Sequence, residues 1–522
     1  MMFKKITICA ALCLCWVMAT AQNAYDALRF SQQYTEGTAR SVAMGNAFTA
    51  LGGDMGGITV NPASSAVYRY SEFIITPSVT NASTNTSYPN TSYPYLGVSQ
   101  PSAKTRAGIS NFGFVGSYNT GREHAGLVSW SFGLVLTKQN NFTNSMKVFG
   151  RTNSSSWLSG LAYNTDGIYA PEMDINDSNN PFFSSNASWN SILGWNTSLL
   201  DTLPGTADQY IAATENLNGD LISVGGDLDQ HFKSISVGNI TEATINFGGN
   251  FSNKLFFGVN IGIHSIQYKY EEHYGEDAIN FSQFNSGFKC FEAGYRYRAA
   301  GTGVNLKAGL IYLPTSWLRI GAGISTPTWM NLNEEWENNM QSQFSDGYSQ
   351  NLSSPLGTYN YNLTAPFRWN VGAAATLGVL GVLSVDYESV NYTQARLNDG
   401  SSFYGYADEN DDIQKLLAKQ NIIRAGAEVN VSPAFALRAG YQYYSSPYAN
   451  GSSDDARHVG SLGAGYSVKC GASDFFVDLA YQQLIKKDKE MFTLYSDTDI
   501  AAPVGESESS NWKLLLSLGF RF

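Results

Sequence analysis

Beyond residue 22 this 522-residue chain contains no run of about 18 consecutive apolar residues, so no segment reads as a helix that crosses a membrane. Charge is scarce as well: 14% of residues are charged, and the formal net charge is −11. With no basic excess to neutralise phosphates, nucleic acid is excluded as a partner. Cysteine is sparse. Three of the five, Cys9, Cys13 and Cys15, fall in the first 21 residues, which leaves Cys290 and Cys470 as one possible pair. The five histidines have no metal-ligand spacing, no G-x-S-x-G elbow occurs, and GAGIS at 321–325 is not followed by a helix signal. The expectation is therefore no metal, no cofactor and no enzyme. The acidic run 408–412 lacks the glycine of a calcium loop and reads as a solvated loop.

What is plentiful is glycine (50), tyrosine (31) and phenylalanine (29). The N-terminus carries Lys4 and Lys5, an apolar stretch from Ile6 to Val17, and Ala19-Thr20-Ala21, the pattern of a secretory signal peptide over 1–21. The other end of the chain reads WKLLLSLGFRF, with large apolar side chains at every second position from Trp512 to Phe522. A strand sends successive side chains to opposite faces, so this segment has one greasy face and one largely wet face. The alternation recurs from Val304, Phe367, Ile423, Leu437 and Phe475.

Energy decides which face meets which solvent. Arg319, Arg368, Arg424 and Arg438 all occupy the polar register. Facing lipid at mid-depth, each would cost on the order of 2–4 kcal/mol, and four would rival a domain's typical stability of about 5–15 kcal/mol. The polar face therefore turns inward and the apolar face outward. Strands are expected near 70–82, 106–119, 125–140, 234–251, 255–272, 287–313, 317–332, 357–377, 380–395, 420–432, 434–446, 458–470, 474–488 and 510–522. Short turns alternate with long polar loops between them, as in a 14-stranded antiparallel transmembrane β-barrel of a bacterial outer membrane. Pro77 cannot donate to a ladder and implies a bulge in the first strand. The largest loop, about 141–233, is expected to fold short helices over the mouth, with a disordered surface loop as the alternative.

Residues 22–69 differ from the rest. TEGTARSVAMGNAFTALGGDMGGITVNPASSAVY, Thr35 to Tyr68, is dense in Gly and Ala, has no strand alternation, and suits a small hatch that plugs the lumen of the 70–522 barrel. GTARSVAMGNAFTALGGD followed by Asn61-Pro62-Ala63 resembles the hatch of the outer-membrane long-chain fatty acid transporters (FadL-type), a group that includes channels for aromatic hydrocarbons. The resemblance extends through 298–336, 386–397 and the tail, but not through 141–233. It implies passive uptake of hydrophobic small molecules or lipids through a loop groove, a lumen pocket and a hatch movement. It also implies that Asn61, Pro62 and Ala63, with Gly45, Gly52 and Gly53, form the hatch. Trp329, Trp336 and Phe344 are candidates for the loop groove, with an interfacial aromatic belt as the alternative. Outer-membrane lipids would surround the barrel. A scaffold for secretion or surface attachment, docking a protein partner at 141–233, is the competing function.

Overall fold

A computed structural model describes residues 23–87, 99–176, 180–400, 405–471, 473–485, 488–495 and 504–522. The segment expected to be a signal peptide lies outside them. Fourteen antiparallel strands make one sheet: β1 (Glu72–Ser87), β2 (Gln100–Asn119), β3 (Leu127–Asn141, continued by Asn144–Thr152), β4 (Leu228–Phe251), β5 (Leu255–Ala278), β6 (Phe288–Tyr312) and β7 (Leu318–Ser325, continued by Thr328–Phe344). They are followed by β8 (Gly357–Ala365, continued by Arg368–Thr376), β9 (Gly381–Asn391), β10 (Lys419–Asn430), β11 (Phe435–Tyr444), β12 (Arg457–Cys470), β13 (Ser473–Leu484) and β14 (Val504–Arg521). Each pairs with the next, and β14 returns to β1 with Phe73 opposite Phe520. Phe522 and Ser71 exchange backbone hydrogen bonds of 3.0 and 3.1 Å, so the last residue of the chain fastens the seam.

All fourteen expected strands are present, but the bulge expected in the first strand falls on its partner: Thr76 is opposite Asn111 and Pro77 opposite Ile109, so Ser110 of β2 is the extra residue. The outward face explains the alternation. On β5 it presents Leu255, Phe257, Val259, Ile261 and Ile263, each between 37% and 53% exposed, and then changes to Ser265, Gln267, Lys269, Glu271 and His273. Leu255 to Ile263 is about 27 Å of strand, or roughly 20 Å of height at the usual tilt, which matches a lipid band. The polar stretch beyond it rises roughly 30 Å further. Strands therefore run past the expected ends, to Ala278 on β5 and Phe344 on β7. Beyond the lipid the outward residues are polar, so the greasy-wet contrast that marks a strand in the sequence disappears.

The 141–233 loop contracts for the same reason, because β3 continues to Thr152 and β4 begins at Leu228. Between them, helices α4 (Trp157–Thr165), α5 (Pro181–Ser184) and α6 (Trp189–Asn196) and two small hairpins form a cap over the mouth. Ser156 and Ser188 cap α4 and α6 by accepting from Leu158 and Ser191 amides. The cap has its own core: Leu158, Leu161, Ile192 and Leu193 pack with Phe288 and Phe291 of β6 and Met340 and Phe344 of β7. The acidic run 408–412 is not a loop but part of helix α7 (Ala407–Leu416), with Asp408 and Glu409 in its first turn, where the helix dipole favours them. Cys290 and Cys470 lie at opposite ends of the barrel, and both are free thiols. A disulfide needs Cα atoms within about 7 Å, so they do not pair.

Replacing Ile261 by Arg, at the middle of the outward band, is expected to destabilise the folded barrel by about 2–4 kcal/mol in urea titrations of vesicle-inserted protein. Gln267→Arg, beyond the band, should change it by less than about 0.5 kcal/mol. Equal costs at the two sites would contradict the placement of the band.

Candidate functional site

The segment before β1 lies inside the barrel, and its backbone is satisfied by the wall instead of by a sheet of its own. Asn260 donates to Ile58 O (2.9 Å), Asn370 to Val60 O (3.0 Å), Asn246 to Pro62 O (3.0 Å) and Ser461 to Ala43 O (3.1 Å). Thr49 N–H donates to Asp386 (2.8 Å) and Ala39 N–H to Ser517 (2.7 Å). These inward polar side chains supply the partners that buried backbone groups require. Short helices are set by their caps: Thr38 for α2 (Ala39–Ala43) and Asp54 for α3 (Met55–Ile58).

Asn61-Pro62-Ala63 has a physical reason for each residue. Asn61 Oδ1 accepts from Ala63 N–H (3.0 Å), capping the turn Pro62–Val67, while Pro62 occupies a first position that needs no N–H. Asn61 Nδ2 donates to Thr49 O (2.6 Å) and to Leu310 O of β6 (3.1 Å), tying the turn to the wall. The wall yields room by being glycine there. A Cβ on Gly309 would lie 1.8 Å from Asn61 Oδ1, one on Gly258 2.3 Å from Pro62 O, and one on Gly321 2.1 Å from Thr49 O. One on Gly426 would meet Met44 O at 2.3 Å, and one on Gly440 would meet Gly45 N at 2.1 Å. Gly45 itself has φ 62° and backbone atoms of Ala425 and Tyr441 at 2.9 Å from where a Cβ would sit, so no other residue fits. Gly52 and Gly53 turn the chain with φ of 65° and 68°.

Two ionic clamps hold this segment. Arg40 of α2 donates twice to Glu428 of β10 (2.8 and 3.0 Å), and Glu428 is shared with Arg438, which also reaches Asp478. Glu36 contacts Lys513 of β14 (2.6 Å) and Lys138 of β3 (3.2 Å) and accepts from Ser110 of β2 (2.9 Å). Glu36 sits at a split in the wall. β2 and β3 pair only from Asn111 opposite Thr137 down to Asn119 opposite Ser129. Beyond that, five consecutive β2 residues, Thr105 to Ile109, are exposed on both faces. The edge of β3 that β2 abandons is taken by the N-terminal segment: Tyr34 N–H donates to Gln139 O and Glu36 N–H to Lys138 O, both 2.8 Å. Thr137 is opposite Glu242, and Glu242 is opposite His264, so the split begins at the outer edge of the apolar band.

Above this segment the lumen is apolar. Ile240 of β4, Ile266 and Tyr268 of β5, Met330 and Leu332 of β7, and Tyr361 and Leu363 of β8 enclose helix α1 (Ala24–Ser31), which buries Ala24, Ala27, Leu28 and Phe30 among them. Ile413 and Leu417, in and just after α7, close the chamber from the other side. Phe30 meets Tyr268 edge-on with centroids 6.1 Å apart. Higher still, Glu276 of β5 ties down the cap by accepting from Ser156 Oγ (2.5 Å), Trp157 N–H (2.9 Å), Tyr274 OH (2.7 Å) and Gln230 (2.8 Å). Glu272 lies between the chamber and the cap, nine positions beyond Ile263 and hence outside the lipid band. Burial raises its carboxyl from the usual 4.5 to about 7, although a hydrogen bond from Tyr270 opposes the shift.

The groove candidates do not come together. Trp329 faces outward opposite Val304 and is 51% exposed at the outer rim of the apolar band, the position of an interfacial belt residue. Trp336 turns inward against Trp189 of α6 (5.8 Å), and Phe344 is buried against Phe288 and Tyr348 in the cap core. Glu36 and Arg40 were not singled out by sequence reasoning, since single charges in a Gly- and Ala-rich stretch carry no partner signal. The inward tyrosines of β5 and β6 lie mostly in the polar stretch above the lipid, where alternation no longer distinguishes the faces.

No protein-family model matches the chain, and no curated protein matches it. Solved structures do. The P. putida toluene transporter TodX superposes with a TM-score of 0.51 at 14% identity, over 93% of this chain and 99% of that one. A Pseudomonas aeruginosa FadL homologue gives 0.52 at 13% identity over 94% and 98%, and the TodX deltaS2S3 mutant, a monoaromatic hydrocarbon channel, gives 0.50 at 14% over 94% and 100%. At such identity the likeness is one of fold.

Gly309→Ala is expected to unseat the hatch: single-channel conductance in planar bilayers should rise above the wild-type level while the heat-modifiable barrel band persists. An unchanged, closed variant would make the Asn61 contact dispensable. Because its folded pKa is raised, Glu272 contributes stability that is complete below about pH 4.5 and is lost as pH rises through about 7. Glu272→Gln should therefore remove up to roughly 3 kcal/mol of pH-dependent loss, read as a flatter profile of Tm against pH. Parallel profiles for the two proteins would refute this.

Proposed function

We propose that the protein is a passive channel of the bacterial outer membrane for hydrophobic small molecules. They enter beneath the mouth cap, rest in the apolar chamber now filled by α1, and leave through the β2–β3 split. The observation that supports the reading is a lumen packed below by the segment before β1, in close contact with wall glycines, and lined above by an apolar cluster. A water-filled pore gives an apolar solute no driving force, whereas a chamber lined by Leu, Ile, Met and Tyr does. An exit at the outer edge of the lipid band delivers the solute into hydrocarbon, its downhill destination, so no energy source is needed. The hatch segment governs that exit, because Tyr34 to Glu36 occupies the edge that β2 leaves open. The toluene transporter and the monoaromatic hydrocarbon channel among the structural neighbours support the same solute class.

In intact cells, expression of the protein should accelerate accumulation of a labelled apolar probe several-fold over cells lacking it, and a proton uncoupler should not abolish the effect. Glu36→Ala, which releases Lys138 and Lys513, should change apolar uptake without admitting a hydrophilic sugar. Absence of acceleration for aromatic, lipid and haem probes alike would end the proposal.

A further inference from the structure

The walls of the chamber also bear on which hydrophobic molecules it accepts. On four consecutive strands, β5 to β8, the inward side chains between hatch and cap include a bank of aromatic rings. They are Tyr268, Tyr270, Tyr295, Tyr297 and Tyr361, with Trp336 at the cap end against Trp189. Tyr268 and Tyr297 have centroids 5.9 Å apart, Tyr270 and Tyr295 6.5 Å, and Tyr295 stacks on Tyr297 at 6.4 Å, so these four rings form a continuous track. The charged side chains that β5 and β7 turn inward at this height are acids: Glu272 and Glu276 on β5, Glu334 on β7. Lumen cations lie lower, at the hatch, where Lys307 is held by Glu242 and Arg368 and Arg424 share Glu388.

A second, independent observation is what occupies the chamber. Helix α1 inserts two side chains against the track. Phe30 places an aromatic ring beside Tyr268, and Arg29 holds its guanidinium 4.8 Å from the centroid of the Tyr268 ring. A cation over a tyrosine face is a favourable contact that an anion cannot make. Asp26 pairs with Arg29 within the helix, so withdrawal of α1 removes both charges together and leaves Glu334, bonded by the Tyr297 hydroxyl, in the wall and Glu272, bonded by Tyr270 and ionised only above about pH 7, just above it. The Tyr361 hydroxyl, on a residue 1% exposed, interacts with Glu334 of β7.

We infer that the chamber selects uncharged or cationic solutes with a ring-bearing body and disfavours fatty-acid anions, and that Arg29 and Phe30 stand in for such a solute. The inference rests on the uptake reading above. A carboxylate head would face Glu334, and above about pH 7 Glu272, across a low-dielectric space, and the wall cation that reaches α1, Arg368 of β8 (2.6 Å from Ser31 O), is already paired with Glu388.

The test compares phenylbutanol, phenylbutylamine and phenylbutanoate, which share one body and differ in head group, with laurate as a fatty-acid anion. Binding to the full-length protein in nanodiscs is measured by calorimetry, with empty nanodiscs as control. The alcohol and the amine should bind at least about tenfold more tightly than either carboxylate. Glu272→Gln combined with Glu334→Gln should shrink that ratio to within about threefold by tightening the carboxylates. Tyr268→Leu should weaken the amine more than the alcohol. If the carboxylates bind as tightly as the alcohol, or the Gln substitutions leave the ratio intact, the inference is overturned while the channel reading survives. If none of the probes binds, the channel reading falls and the inference with it.

Discussion

Backbone hydrogen bonding in hydrocarbon is the constraint from which the architecture descends. No water is available at mid-bilayer to pair a stray N–H or C=O, so a sheet placed there must close on itself. The pairing of β1 with β14 meets that requirement, down to the exchange between Ser71 and Phe522. Once closure is fixed, the pleat fixes the rest: odd residues of β5 meet lipid and even residues meet the lumen. Every polar device inside the barrel, from Glu428 to Asp386, is a consequence of that parity.

Inside, the same accounting is solved by a different means. The segment before β1 has almost no sheet or long helix with which to pair its own backbone. It borrows asparagine, serine and aspartate side chains from the wall and approaches closely wherever the wall is glycine. This explains an otherwise odd composition, because the glycines that weaken a strand in isolation are the positions where a second backbone must fit. Ion pairs buried with this segment, such as Arg40 with Glu428, are poor sources of net stability but strong determinants of a single seating.

Much of this was legible in the residues. Fourteen strands and the inward set of arginines follow from alternation and from the cost of placing charge in lipid, whereas Pro77 marks only the place of a bulge that its partner strand carries. The legible part stops at the edge of the lipid, because the signal is the contrast between two solvents. Above Ile263 both sides of β5 are polar or tyrosine-rich, and the strand continues without announcing itself. The three aromatics chosen for a groove show the same limit. Trp329, Trp336 and Phe344 share a strand, yet parity sends the first outward and the other two into the cap. The contacts of Glu36 span three strands distant in sequence, and no local pattern encodes them.

The cradle of glycines has a consequence for biogenesis. The segment before β1 is synthesised ahead of every strand, yet its binding surface is assembled from strands that end with β14, and Ser517 and Lys513 belong to the final ribbon. The earliest segment must therefore wait for the latest one, carried meanwhile as a chain too poor in large side chains to collapse or aggregate alone. Small residues thus serve twice: they fit the finished lumen, and they keep the unfinished plug harmless until a lumen exists.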